Sequence, residues 1–241
     1  MLLQLIIRRL MRNFGVDLVK YHPSSNHNAR LFSLLKNIDC ILDVGANEGQ
    51  FGEFLRNFGY EKMIISFEPM KKAYNAMCNH RLGKNDPLWQ KKNIALGNES
   101  GTKKINISEY SPSSSLQEML PLHEQIFSGT NYIDEESIKI EKLDDIYDSL
   151  CLVNKNVFLK IDTQGFEYEV LKGAKESLKF IDLIQVEMSF KPLYQNEVLF
   201  HEMHKLIVSM GYHIVSIVPQ VFDEKTWELI QVDCVYSRND N

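Results

Sequence analysis

Asp43-Val44-Gly45-Ala46-Asn47-Glu48-Gly49-Gln50-Phe51 is the stretch that decides how this chain folds. It follows the apolar run Cys40 to Val44 and precedes Phe51, Phe54, Leu55 and Phe58, whose offsets put them on one helical face. The stretch therefore reads as the turn from a first strand into a first helix. Gly59 closes that helix, and a second apolar run, Met63 to Phe67, completes a βαβ unit. In an open parallel sheet the carboxyl end of such a strand is where ligands bind, and Gly45 and Gly49 would let the backbone approach one closely.

The same alternation continues outward. Pro69 opens a second helix carrying Ala73, Tyr74, Ala76 and Met77, and a third strand is expected around Lys92 to Leu96. From Gly97 to Ser149 the pattern loosens into a hairpin strand Lys103 to Ile107, a serine-rich stretch Ser111 to Ser115, and a polar segment ending with Ile138, Ile140 and Leu143. A long irregular insert before a core strand suits a lid or a binding loop. Then come the strand Val157 to Ile161, a helix near Tyr168 to Leu178, the strand Leu183 to Val186, and a helix about Val198 to Met210. The final segments, His213 to Val218 and Trp227 to Val235, are linked too tightly for a crossover helix, so they must pair antiparallel. The class is α/β, a mostly parallel sheet with helices on both faces. With 241 residues, 44% of them apolar, one domain over residues 37–241 is expected, preceded by a helical extension over residues 1–36.

Net charge is -5 and the lysine pairs are scattered among acids, so nucleic acid is not an expected partner. The four cysteines, Cys40, Cys78, Cys151 and Cys234, form no C-x-x-C pair, which fits a reducing cytoplasm better than a zinc site or a disulfide framework. Residues 1–11 hold an apolar run broken by Arg8 and Arg9, short of the roughly 20 residues a spanning helix needs. A helix packed on the domain is the plain reading of that run, and weak membrane-surface association is the other. His201-Glu202-Met203-His204 resembles a zinc-protease signature, but its histidines are three apart rather than four, and they are expected on the polar side of their helix.

The glycine spacing at the first turn is G-x-x-x-G, not the G-x-G-x-x-G of dinucleotide binders, and an acid, Asp43, ends the strand before it. A pyrophosphate wants bare amides, whereas a cofactor with a sulfonium and an amino group favours an acidic wall. The second strand ends in Ser66-Phe67-Glu68-Pro69, where a carboxylate can accept from both hydroxyls of a ribose. Together Asp43 and Glu68 favour S-adenosylmethionine as the ligand. Asp162 and Glu187 follow the fourth and fifth strands and open on the same edge. They are the candidates for a general base or for a divalent cation such as Mg2+, with loop capping or a pair with Lys160 as the plain alternative.

D-V-G-A-N-E-G-Q-F, F-E-P, K-I-D-T-Q-G-F-E-Y-E-V-L-K-G-A and a trailing V-E, spread over Ile41 to Glu187, resemble the FkbM-type methyltransferases. Ala95-Leu96-Gly97 and Ser113 to Leu116 look like further elements of that family. The resemblance implies a Rossmann-like class I methyltransferase fold, with a mostly parallel seven-stranded sheet ending in an antiparallel strand. It also implies S-adenosylmethionine-dependent methylation of a hydroxyl on a saccharide or natural product. By position Asp43, Gly45, Asn47 and Gly49 would hold the methionine end, Glu68 the ribose and Ala95 the adenine edge. The insert 97–149, with Ser113 to Ser115, is the candidate for holding the acceptor, with a mobile linker as the equal alternative. One departure is Gln164, where the family commonly carries an acid, so the catalytic role falls to Asp162 and Glu187. Two other readings compete: a nicotinamide-dependent oxidoreductase sharing the sheet and Glu68, and a methyltransferase-like module that binds without chemistry.

Overall fold

The apolar runs become strands because parallel strands covered on both faces need a side chain that tolerates burial on either side. In the computed structural model, which describes Met11 and residues 27–239, these are β1 (Cys40–Val44), β2 (Met63–Phe67), β7 (Val157–Ile161) and β8 (Leu183–Ser189). Every residue of β1 and β7 is buried. They join β3 (Trp89–Lys92), β9 (Tyr212–Phe222) and β10 (Leu229–Arg238) in a seven-stranded sheet of order β3-β2-β1-β7-β8-β10-β9. All neighbours are parallel except β10, which runs antiparallel to both β8 and β9. The expected antiparallel ending is present, with the last strand inserted inside the one before it.

The chain divides into residues 1–37 and residues 38–241. In the first, α1 (His27–Leu35) is helical; residues 1–10, most of the run weighed for membrane-surface association, lie outside the described residues. Among the described residues no helix is long and apolar enough to cross a membrane. In the second, α2 (Gln50–Asn57), α3 (Lys71–Asn79), α4 (Pro121–Ile126), α5 (Leu143–Ile146), α6 (Glu167–Lys172) and α7 (Phe200–Ser209) connect the strands. One continuous core runs from Leu42 and Phe67 through Leu159 and Val186 to Val232 and Tyr236.

Three expectations shift. The third strand of the main sheet is Trp89–Lys92, earlier than Lys92 to Leu96. Trp89 is 2% exposed and its indole fills the space over Gly52, where an added Cβ would lie 2.1 Å from Trp89 Cζ2. Ala95–Leu96 instead forms β4, which with β5 (Gly101–Ser108) and β6 (Tyr132–Glu141) makes a second sheet of order β4-β6-β5. That sheet gives the insert a folded frame, with the serine-rich stretch crossing β5 through the Asn106–Ser115 bridge. The helix expected over Tyr168 to Leu178 stops at Lys172, and a 3-10 turn follows at Ser177–Phe180. Gly173 interrupts it by packing so close that a Cβ would sit 1.7 Å from the carbonyl oxygen of Gly97.

Candidate functional site

Leaving β1 the chain winds outward to β2 and β3, and leaving β7 it winds the other way to β8, so the order reverses between β1 and β7. Outside the carboxyl ends of these strands, where an open α/β sheet takes its ligands, lies a cavity of about 540 Å³. Asp43, Gly45, Asn47, Glu68, Ala95, Asp162 and Glu187 all line it. Gly49 does not. It precedes α2 in the left-handed region (φ 93°), and a Cβ there would press on Met77 and Trp89, so its role is to let α2 start close to β3.

Sheet register builds the deep wall. Asp43 lies level with Ser66 on one side and Lys160 on the other. Trp89 Nε1 donates to Ser66 Oγ (3.0 Å), and Ser66 Oγ donates to Asp43 Oδ2 (3.0 Å). Asp43 Oδ1 has no hydrogen-bond partner and stands 3.8 Å from Lys160 Nζ. Burial raises the Asp43 carboxyl above its ordinary range, against the pull of Lys160 and Ser66. Gly45 (φ 80°) lets the β1 turn and the end of β7 close together, with the Asp162 amide donating to the Val44 carbonyl (3.1 Å).

The turn is tied to β2 and to the insert. The Asn47 amide donates to Glu68 Oε2 (2.8 Å), the Met70 amide to Glu68 Oε1 (2.8 Å), and Asn47 Nδ2 to Ser111 Oγ (3.1 Å). Burial pushes the Glu68 carboxyl up to about 7 although both amides oppose it. Beyond Glu68 the wall turns apolar through Phe67, Met70, Ala95, Leu96 and Ile105, and Tyr110, 58% exposed, also borders the cavity.

The far wall holds a second polar cluster. Lys160 Nζ donates to Asp162 Oδ2 (3.0 Å), and Gln164 Nε2 lies 2.9 Å from Asp162 Oδ1 and 3.0 Å from Glu187 Oε2. Gln231 Nε2 also donates to Glu187 Oε2 (3.1 Å). Burial pushes Asp162 up, but the Lys160 ammonium and the hydrogen bonds from Lys160 and Gln164 outweigh it and hold this carboxyl below its ordinary range. Glu187 goes the other way: burial and the negative charges of Asp162, Asp233 and Glu167 raise it well above. Lys160 loses by burial and gains more from Asp162 and Asp43, so it is a firm cation.

This donor set does not fit the divalent cation expected at Asp162 and Glu187. The Gln164 amide already bridges Asp162 Oδ1 and Glu187 Oε2, and the Lys160 ammonium holds the other Asp162 oxygen, where a hard cation would need free oxygens. Among the described residues no group of three His, Cys, Asp or Glu side chains is arranged to hold a metal. His204, from the zinc-like tetrad, bonds Tyr236 instead (2.9 Å).

Sequence reasoning treated Lys160 only as a possible partner of the acids and Gln164 only as a departure. It assigned nothing to Tyr194 or His123, which stand behind Gln164. A cation two positions before the strand-end acid was the available signal for Lys160. Tyr194 and His123 carry none, because Tyr194 meets Gln164 across 30 residues and His123 meets Tyr194 across 71.

The buried carboxyls also set a pH response. The unfolded chain ionises glutamates near pH 4.3, whereas burial holds Glu68 protonated to about 7 and Glu167 to about 8. Between those limits the folded state binds more protons, so its stability falls as pH rises. Chemical denaturation of the ligand-free protein is expected to lose at least about 2 kcal/mol between about pH 5 and pH 8. A flat profile would contradict these environments.

An order that reverses at β1, an antiparallel strand inserted at the far end, and carboxyls rather than bare amides around the cavity define a Rossmann-like methyltransferase. Residues 43–214 match the FkbM methyltransferase domain, and the chain belongs to that family. It is 24% identical over 199 residues to the 2-O-methyltransferase NoeI of Sinorhizobium fredii, covering 79% of this chain and 80% of that one. Among solved structures, an uncharacterised protein of Listeria monocytogenes serotype 4b superposes with a TM-score of 0.51 at 8% identity, over 90% of this chain and 69% of that one. The magnesium protoporphyrin IX methyltransferase of Synechocystis, solved with S-adenosylmethionine bound, gives a TM-score of 0.46 at 10% identity, over 98% and 97% of the two chains.

Proposed function

We propose that this methyltransferase moves the methyl group of S-adenosylmethionine to a hydroxyl of an uncharged small molecule, a saccharide or a polyol-like natural product. The observation that carries the cofactor is Asp43 Oδ1, a buried acceptor on the cavity wall that receives no hydrogen bond, its nearest cation, Lys160 Nζ, standing off at 3.8 Å. An amino group is what such an atom needs, and a phosphate is what it repels. Asp43, Gly45 and Asn47 hold the methionine end, Glu68 takes the ribose hydroxyls, and Ala95 with the apolar wall takes the adenine. Gly49 serves only the turn. The similarity to a 2-O-methyltransferase supports oxygen as the accepting atom. Net charge of -5 and an acidic cavity favour an uncharged acceptor over nucleic acid.

We take residues 37–241 as one methyltransferase domain, with residues 1–36 as an extension. Within it the insert 97–149 borders the acceptor side through Tyr110, Ser111, Pro112 and Ser114. The four cysteines, all free, support a reducing, cytoplasmic setting.

S-adenosylmethionine supplies a methyl carbon activated by its sulfonium. The protein's part is to align the acceptor hydroxyl for in-line displacement and take its proton. Asp162 is the ionised member of the pair and accepts that proton, while Glu187, held neutral, donates a hydrogen bond that orients the acceptor. Two carboxyls whose surroundings separate their acidities divide the work in this way. Lys160 keeps Asp162 charged until the proton moves.

The test is incubation with methyl-labelled S-adenosylmethionine and a panel of saccharides and polyols, with the product bond identified by NMR. A methyl ether is expected, and Asp162→Asn should lower turnover by about 10²–10⁴ with cofactor affinity nearly kept. Label appearing only on nitrogen or carbon acceptors would sink the proposal.

A further inference from the structure

Behind the two carboxyls a line of buried polar groups leads into the insert. The Tyr194 hydroxyl lies 3.0 Å from Gln164 Oε1 and 3.0 Å from His123 Nε2, and His123 Nδ1 lies 3.2 Å from Thr130 Oγ1. Tyr194 and His123 are 0% and 1% exposed, and neither borders the cavity. Each neighbouring loop is fixed by an interior glutamate. Glu197 Oε2 accepts from the amides of Leu193 and Tyr194 (2.7 and 3.1 Å), and Glu167 Oε1 accepts from those of Thr163 and Gly165 (2.7 and 3.2 Å). Gly165 abuts the tyrosine, since a Cβ there would stand 2.6 Å from Tyr194 Cβ. Gln164 itself sits in the left-handed region at φ 56°.

Hydrogen counting orders the line. Asp162 is ionised and can only accept, so Gln164 must turn its NH2 toward it and its oxygen toward Tyr194. The tyrosine hydroxyl has one proton, and it goes to that oxygen at 3.0 Å in preference to the Ser113 carbonyl at 3.4 Å. Its own oxygen must then accept from His123 Nε2–H, which leaves Nδ1 to accept from Thr130. The opposite arrangement is also self-consistent around the histidine, because Thr130 Oγ1 lies 2.8 Å from the Phe127 carbonyl and can donate there. In that case Nδ1–H donates to Thr130, Tyr194 donates to Nε2, and Gln164 must present its carbonyl to Asp162. The negative charge of Asp162 selects the first arrangement. Burial keeps the imidazole neutral, its pKa lowered to about 4.

The geometry points to Tyr194 and His123 as positioning residues: His123, as the neutral Nε2–H tautomer, orients the Tyr194 hydroxyl, which turns the Gln164 amide to bridge Asp162 and Glu187. The inference deepens the proposed function and rests on its assignment of the Asp162–Glu187 pair as the reacting groups. It also gives Gln164 a use: a neutral donor that holds two carboxyls together where an acid would repel both.

Nitrogen-15 NMR of the cofactor-free full chain, labelled at histidine and at glutamine side chains, tests it. The expected wild-type result is His123 protonated at Nε2 and bare at Nδ1, with Gln164 amide protons that exchange slowly. Tyr194→Phe should speed that exchange about fivefold, the worth of roughly 1 kcal/mol of hydrogen bonding. His123→Gln, which keeps a donor near Nε2, should preserve the slow exchange and His123→Leu should not. Wild-type His123 protonated at Nδ1, or Gln164 exchange unchanged in Tyr194→Phe, would overturn the inference. The wild-type tautomer decides alone if Tyr194→Phe does not fold. These spectra need no acceptor, so a failure of methyl transfer with normal spectra would count against the proposed function and not against the relay.

Discussion

At pH 8, where the Glu68 carboxyl is ionised, Glu68→Ala is expected to weaken S-adenosylmethionine binding about 100-fold or more, because hydrogen bonds to a charged partner contribute about 1.5–3 kcal/mol each and two are proposed to the ribose. A second loss comes from within the protein. Both carboxyl oxygens of Glu68 already hold backbone amides, those of Asn47 and Met70, so removing them also releases the turn that carries Asn47. Glu68→Gln keeps one acceptor oxygen and should fall in between. Thermal stability should change less than affinity, since the variant also removes a carboxyl that burial disfavours. Calorimetric titration of the three proteins checks the order, and equal affinities in wild type and Glu68→Ala would remove Glu68 from the binding site.

Gly45→Ala should damage stability and binding together. The residue sits at φ 80°, and its Cβ would lie 1.9 Å from the carbonyl oxygen of Asp162, a backbone atom with little freedom to yield. Left-handed strain adds about 1–2 kcal/mol, and separating the ends of β1 and β7 adds roughly 1–3 kcal/mol of overpacking. A fall in melting temperature of roughly 10 °C follows for a domain of this size, with loss of cofactor binding as Asp43 and Asp162 move apart. Gly59→Ala is the control: its φ is 89° but nothing lies within 4 Å of the added Cβ, so only the strain remains. Equal effects at the two glycines would show that the close approach at Gly45 does not matter.

What could be read from the sequence follows from burial. Cys40–Val44 and Val157–Ile161 are covered on both faces and so are apolar throughout, which makes them visible without tertiary information. Trp89–Lys92 is an edge strand whose one anchoring side chain is Trp89, and Trp-Gln-Lys-Lys has no strand signature of its own. Tyr132–Glu141 buries only Ile138 and Ile140 and was legible only at that end. In the site, Asp43, Glu68, Asp162 and Glu187 could be named because each ends or follows a recognisable strand, and parallel strands deliver such residues to one edge. Gly49 lay in the same motif but faces Met77 and Trp89; a turn glycine and a ligand glycine look alike in one dimension. Gln164 was visible as an oddity, but its bridging of two carboxyls, and the hydroxyl and imidazole behind it, depend on how the insert pairs with the loop that follows β8.

The proposed function requires that the Asp43–Glu68 cavity take a sulfonium cofactor and not a dinucleotide. Calorimetric titration of the full chain with S-adenosylmethionine and, separately, with a nicotinamide dinucleotide tests it, using wild type and Asp43→Ala. Binding of S-adenosylmethionine alone, abolished in Asp43→Ala, is the predicted result. Binding of the dinucleotide alone, or S-adenosylmethionine affinity indifferent to Asp43, would contradict it.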